Sequence, residues 1–419
     1  MKILYVRSKC LILLLLCIAY VKVNAQKKEN KAVVKDYFPS AKWWEHRSPS
    51  QMKVDSGYLT AAIRFAKEND NESQMPHDQY LAQSIGFGKE PYSDPEGPLA
   101  DRGEATGIVV YKGYIIAEWG EPERVDMTNS VTKSMLSSVV GVAVDKGLIA
   151  SVNDTVEKYL PPIEVYDPAT YVHSADGFGK QAFLTPFTSA HNRKITWDHL
   201  LRQTSDWEGT LWGKPDWADR PSDNPHEWLT RKRNEPGTTW KYNDTRVNAL
   251  ALAATLVWRK PLPEVLREYI MKPIGASNTW AWTGYRNAWI VVDGKPMQAV
   301  SGGGHYGGGL FINAYDMARF GLLTLHKGNW NGNQLISESW IQRSLTPTPA
   351  NNGYGFMNFF LNTGKKLFPS APESAYAHLG NGTNMIYVDN EHEIVAVVRW
   401  IGNKAMDGFI KRLLEALPR

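Results

Sequence analysis

Cysteine is almost absent from this chain of 419 residues: there are two, Cys10 and Cys17, and both lie in the first 20 positions. If that segment is removed, disulfides, thiol nucleophiles and cysteine-based metal sites are excluded together. An excess of one charge is missing as well. Residues 1–25 carry Lys2, Arg7, Lys9 and Lys22 and no acid, so the remainder holds as many basic residues as the 43 acidic ones. The pI of about 8.7 is therefore largely a property of the leader. No basic footprint for nucleic acid remains. Long apolar runs are missing too. The strongest, Leu11 to Tyr20, falls short of the roughly 20 residues a membrane-spanning helix needs.

What the leader does have is a basic start, a short apolar stretch, and Val23-Asn24-Ala25 before Gln26. These are the three parts of a secretory signal peptide. Residues 1–25 are expected to be removed on export, leaving a periplasmic or secreted protein without a stable membrane span. The bulky Leu16 beside Cys17 disfavours a lipid anchor at that cysteine. Residues 26–419 then form one catalytic domain, with an α/β part over about 55–125 and 290–419 and a helical part over about 126–290. An apolar share of 43% is ordinary for a globular chain.

Asp55 or Ser56 caps a predicted helix running to about Asn69. Asp70 to Arg102, rich in Pro, Gly and Asp, reads as irregular. Gly107 to Tyr111 and Tyr114 to Trp119 flank Lys112-Gly113 as a β-hairpin. Ser130 to Lys146 reads as a buried helix, with Leu136, Val139, Val140 and Ala143 at helical spacing. From about 150 to 290 the chain reads as helical or irregular, its best helices being Trp197 to Gln203 and Thr245 to Trp258. A second β pair, Met385 to Asp389 and Ile394 to Trp400, precedes a closing helix from about Lys404 to Leu417.

Two Ser-x-x-Lys patterns occur. Ser50 to Lys53 follows Pro49 in an irregular stretch and reads as a loop. Ser130-Val131-Thr132-Lys133 opens a helix, where residues three apart share a face. A serine hydroxyl needs a base to take its proton. A lysine shielded from water loses its charge more readily and can supply that base, and the helix N-terminus favours a developing alkoxide. Gly302-x-Gly304-x-x-Gly307 matches a dinucleotide fingerprint but lacks the strand–turn–helix setting that fingerprint requires. It reads as a glycine loop passing close to something, such as the cleft. His392-Glu393 lacks the second histidine of a zinc helix, and no G-x-S-x-G elbow occurs. No metal and no cofactor are expected.

Tyr242-Asn243-Asp244 follows the Pro236-Gly237 break, and His378-Leu379-Gly380-Asn381 precedes the strand that starts near Met385. A glycine at 380 would let a substrate approach the strand backbone. In order and spacing, Ser130-x-x-Lys133, Tyr242-x-Asp244 and His378-x-Gly380 resemble the three motifs of the serine β-lactamase and penicillin-binding-protein superfamily, and within it the class C β-lactamase and esterase-like branch. Ile195 to Ser205 and Asp316 to Gly321 support the likeness, which runs from about residue 55 to the end. It implies an α+β fold of the β-lactamase/DD-peptidase type: an antiparallel sheet flanked by the terminal helices, with a mostly helical subdomain.

The resemblance further implies that Ser130 is acylated, that Lys133 and Tyr242 share the proton handling, and that the Ser130 and Asn381 N–H groups form an oxyanion hole. Asp244, His378, Gly380 and Asn381 would contact substrate. Two departures stand out. Asp244 replaces an amide that helps hold a substrate carbonyl. Leu379 replaces a hydroxyl residue that helps bind a substrate carboxylate. Both steer the expected substrate away from β-lactams and D-amino-acid peptides toward another small or peptide-like ester or amide. β-Lactam hydrolysis, D-amino-acid peptidase activity and a non-hydrolytic sensor remain as alternatives. Trp207, Trp212, Trp217, Trp228 and Trp240 precede Tyr242. They either line the cleft or pack ordinarily.

Overall fold

A computed structural model describes residues 36–166 and 182–418. The leader, its cysteines and the expected cleavage point lie outside the described residues. One six-stranded antiparallel sheet organises the fold. Its order is Phe360–Leu361, Tyr376–Gly380, Asn384–Asp389, Ile394–Arg399, Thr106–Tyr111 and Tyr114–Trp119. The early hairpin thus lies beside the late one, with Thr106 opposite Arg399 and Tyr111 opposite Ile394. Its register shifts between Val109 and Val110, an irregularity of the bulge kind that bends a strand.

Alternation along the strands sends side chains to two covered faces. Val109, Tyr387, Ala396 and Val398 join Leu59, Ala62 and Ala66 of the Ser56–Glu68 helix, and Phe409, Ile410 and Leu413 of the Met406–Glu415 helix, in one apolar core. The opposite face carries the Ala314–Leu325 helix, where a Cβ at Gly321 would meet Val395 and Ile386. Asp55 accepts from the Gly57 and Tyr58 amides. Asn313 accepts from Asp316. These side chains satisfy the free N–H groups that begin their helices.

Two expectations need correction. The stretch read as irregular holds a helix, Gln79–Phe87, capped by Asp78. The middle of the chain also holds strands. Ala281–Val292 and Lys295–Val300 form a long hairpin, with Gly309–Ile312, Asp126–Met127, Ile163–Val165 and Ala182–Leu184 completing a second sheet. The hairpin turns on Asp293-Gly294, both with positive φ (53° and 73°). Asp-Gly between β-rich runs favours this turn because both central residues must be left-handed.

Arg399, fully buried, ties the two sheets together. It donates to Ile312 O, Met127 O and Asn384 Oδ1 at 2.6–2.7 Å, and burial pushes its pKa down to about 10. Its hold on Met127 fixes the backbone three residues before Ser130. No helix among the described residues is long and apolar enough to cross a membrane.

Candidate active site

Asn129 precedes Ser130 with φ of 49°, in the left-handed region that side chains other than glycine seldom occupy. Its amide donates to Asn381 O at 3.1 Å, and Thr132 Oγ1 donates to Asn129 O at 2.7 Å. A single 3-10 turn, Asn129–Val131, then leads into the Thr132–Asp145 helix. The result is a turn that holds Ser130 from both sides.

Lys133 is fully buried, and its Nζ lies 2.9 Å from Ser130 Oγ and 2.5 Å from Asp244 Oδ1. Nζ also sits 4.5 Å from the Tyr242 ring centroid. The Tyr242 hydroxyl donates to Asn358 Oδ1 at 3.4 Å, and Tyr242 and Ser130 both line the cleft. Burial, with the Asp244 charge, raises the Tyr242 pKa well above the ordinary phenol range. Burial alone would raise the Asp244 carboxyl as well, but Lys133, Arg220 and His305 hold it well below the usual carboxylate range.

Asp244 is therefore no substrate-facing group. It is 1% exposed and faces inward, bonded to Lys133 through one oxygen and to Arg220 at 2.8 Å through the other. Asn243 cannot replace it. That side chain caps the Asp244–Trp258 helix and donates to Asp216 O at 2.6 Å.

His378 is a second correction. It is fully buried and packs against Phe320, Phe359 and Tyr376. Neither ring nitrogen makes a well-formed hydrogen bond. Burial, opposed in part by the Asn358 backbone, pushes its pKa down to about 3. The reason is strand alternation. His378 pairs with Ile386 on the face of the Ala314–Leu325 helix, while Leu379 points to the other face and reaches the cleft. Gly380 borders the cleft too, but its missing side chain serves the protein's own backbone: a Cβ there would overlap Thr128 O. Asn381 lines the cleft as expected.

The cleft over Ser130 has a volume of about 530 Å3. Phe87, Trp240, Tyr242, Phe360, Leu379 and Met406 supply its apolar walls; Arg220, Asn381, Thr383 and Asn403 supply polar groups. Of the five tryptophans, Trp240 borders the cleft, Trp207 and Trp212 are core, and Trp217 stacks on Trp228 at 5.2 Å. Ser50 sits in an exposed turn, and Lys53 turns away in the left-handed region.

The sequence reading missed two participants. Arg220, itself at φ 49°, donates to Asp219 at 2.5 Å as well as to Asp244. Its second amino group lies 3.4 Å from His305 Nδ1, and His305 Nε2 lies 2.8 Å from Glu90. Arg220 thus sits inside a group of carboxylates. Little in its local sequence marks it, because apart from the adjacent Asp219 its partners come from positions 90, 244 and 305. Gly303 is the other. A Cβ there would overlap Asp244 Oδ1 and crowd Lys133 Nζ, so the glycine loop lies directly against the Lys133–Asp244 pair.

The family model described as Beta-lactamase matches residues 109–416. The 6-aminohexanoate-dimer hydrolase of Paenarthrobacter ureafaciens is 26% identical over 245 residues, 57% of this chain and 56% of that protein. The chain thus spans little more than half the length of this curated relative. A penicillin-binding protein homolog from Caulobacter crescentus is similar in fold, with a TM-score of 0.51 at 16% identity, over 87% of this chain and 97% of that one. A family VIII carboxylesterase gives a TM-score of 0.52 at 16% identity, over the same shares. At such identities the likeness to these structures concerns the fold alone.

Proposed function

Because the chain belongs to the Beta-lactamase family, we propose that it is an exported serine hydrolase that cleaves an uncharged ester or amide through an acyl-Ser130 intermediate. One observation carries this reading: the Lys133 amine lies 2.9 Å from the Ser130 hydroxyl at the floor of an aromatic cleft. As Ser130 Oγ bonds to the carbonyl carbon, its proton passes to the Lys133 amine, which must first have given up its own, and the carbonyl π pair moves onto oxygen. Collapse breaks the bond to the leaving group, which takes a proton through Tyr242. Water then enters by the same route and frees the acid and Ser130. With its pKa raised by burial, Tyr242 acts as a protonated relay and not as a resting phenolate. The Ser130 and Asn381 N–H groups would hold the oxyanion, each such donor being worth roughly 3–4 kcal/mol.

The cleft walls favour an uncharged acyl group. They are largely apolar, Leu379 offers no hydroxyl, and the cation at the wall, Arg220, is already bound by two carboxylates. The curated relative, named a 6-aminohexanoate-dimer hydrolase, fits with hydrolysis. Export rests on the leader: its basic start, short apolar run and Ala25 before Gln26 support a mature chain from Gln26, in the periplasm or secreted.

The test is hydrolysis of p-nitrophenyl butyrate by the chain from Gln26, beside Ser130→Ala of equal circular dichroism. Turnover by the parent alone is expected, with intact mass showing the butyryl adduct on Ser130. Equal turnover by both proteins would end the reading. A stable adduct without turnover would mark a sensor instead.

A further inference from the structure

We infer that Arg220 is a positioning residue of the reaction: through Asp244 it governs how readily Lys133 takes up the Ser130 proton. This rests on the hydrolytic reading above and deepens it.

The two oxygens of Asp244 are divided. Oδ1 receives Lys133 and Oδ2 receives Arg220, at 2.5 and 2.8 Å. An amine can accept the Ser130 proton only when it has given up its own, and the carboxylate beside it opposes that loss. Arg220 draws on the same carboxylate from the other side and weakens that opposition. Asp219 in turn binds Arg220 through Oδ1 and accepts the Asp244 backbone N–H through Oδ2. It therefore competes with Asp244 for the guanidinium charge. His305 and Glu90 close the far end, His305 facing both Arg220 and Asp219.

Ser130 and two tyrosines also face Lys133. Tyr242 presents its ring, and Tyr354 feels the lysine charge. Tyr285 and Tyr306 feel the Asp244 charge from the second sheet and the glycine loop. Burial raises all four phenols, so they remain neutral across the working range. Among the described residues, the charges that act on the Ser130–Lys133 pair are thus Asp244 and, behind it, Arg220, Asp219 and the His305–Glu90 pair. The backbone around Gly303 seals this arrangement, since a Cβ there would displace Asp244 and Lys133 together.

The experiment is the pH profile of kcat/KM on p-nitrophenyl butyrate for the whole mature chain and three variants. Arg220→Gln leaves Asp244 to Lys133 alone, so the acidic limb should move up by roughly one pH unit. Arg220→Lys keeps the charge and should hold the limb near the parent. Asp219→Asn releases Arg220 toward Asp244, so the limb should move down. Opposite displacements by Arg220→Gln and Asp219→Asn establish the coupling. Rates that fall equally at every pH, with the limb unmoved, would overturn it and leave Arg220 a structural residue. If Arg220→Gln fails to fold by circular dichroism, the direction of the Asp219→Asn shift decides. Ser130→Ala, assayed alongside, separates the two levels. An active Ser130→Ala removes the hydrolytic reading itself, whereas an inactive one beside unmoved limbs removes only the role of Arg220.

Discussion

Two regions were read from the sequence as parts of one site, the Ser130–Lys133 turn and the His378–Asn381 strand end, and the structure treats them in opposite ways. On the helical side, residues three apart face together, and Lys133 reaches both Ser130 and Asp244. On the strand side, neighbours face apart, so Leu379 meets the cleft while His378 enters the core between Phe320 and Phe359. A motif keeps its residues together in space only when its spacing matches the period of the element that carries it. The polar wiring of the site accordingly gathers behind Lys133, and the strand contributes backbone and apolar wall.

The largest expected effect lies on the helical side. Lys133→Ala should lower kcat/KM on p-nitrophenyl butyrate by about 10³-fold, because Ser130 loses its proposed proton acceptor. His378→Leu, on the strand side, should leave kcat/KM within a few-fold of the parent. Equal losses would erase the contrast. Next in size is Gly303→Ala. Its Cβ would overlap Asp244 Oδ1, and a displacement of about 1 Å in a catalytic group costs roughly 10²-fold in rate. An unchanged rate would mean that the glycine loop yields without moving the pair.

Much of the fold was legible because local pattern and tertiary context agreed. The helix after Asp55, the hairpin at Lys112-Gly113, and the strands 385–389 and 394–399 lie where the sequence puts them. The second sheet was not read, although Asp293-Gly294 carried a hairpin signal, because Ala281 to Val292 lacks a clean two-residue alternation. Ser130, Lys133 and Tyr242 were legible from the family resemblance that their order and spacing carry, and they meet in space. Asp244 was found, but its inward role was hidden, because its second partner, Arg220, is fixed by tertiary packing alone. His378 misled because a motif position says nothing of which strand face it occupies.

The strand side can also be separated by pH. Burial lowers the His378 pKa to about 3, whereas an unfolded histidine titrates near 6.5. Above about pH 6.5 both states are neutral and the stability is fully present. As pH falls toward 3 the unfolded state takes up the extra proton, and stability is lost at about 1.4 kcal/mol per unit. Between pH 7 and pH 5, urea unfolding of the parent should show a loss from this residue of roughly 2 kcal/mol that His378→Leu lacks. Identical losses in the two proteins would mean that His378 is not held neutral by the core.

The smallest effect is at the cleft edge of the same strand. Leu379 is partly buried beside Gly380 and Met406, where it can exclude a charged acyl group without touching the proton-transfer groups. Leu379→Thr introduces a β-branched residue suited to a strand and adds one hydroxyl donor. A single hydrogen bond contributes about 1 kcal/mol, or roughly a fivefold change in rate. The ratio of kcat/KM for p-nitrophenyl hemisuccinate over p-nitrophenyl butyrate should therefore rise about fivefold, with the acidic limb of the pH profile unmoved. An unchanged ratio would mean that the acyl group lies against Trp240 and Phe360 and not against the strand, and the substrate preference would then be set by the aromatic wall.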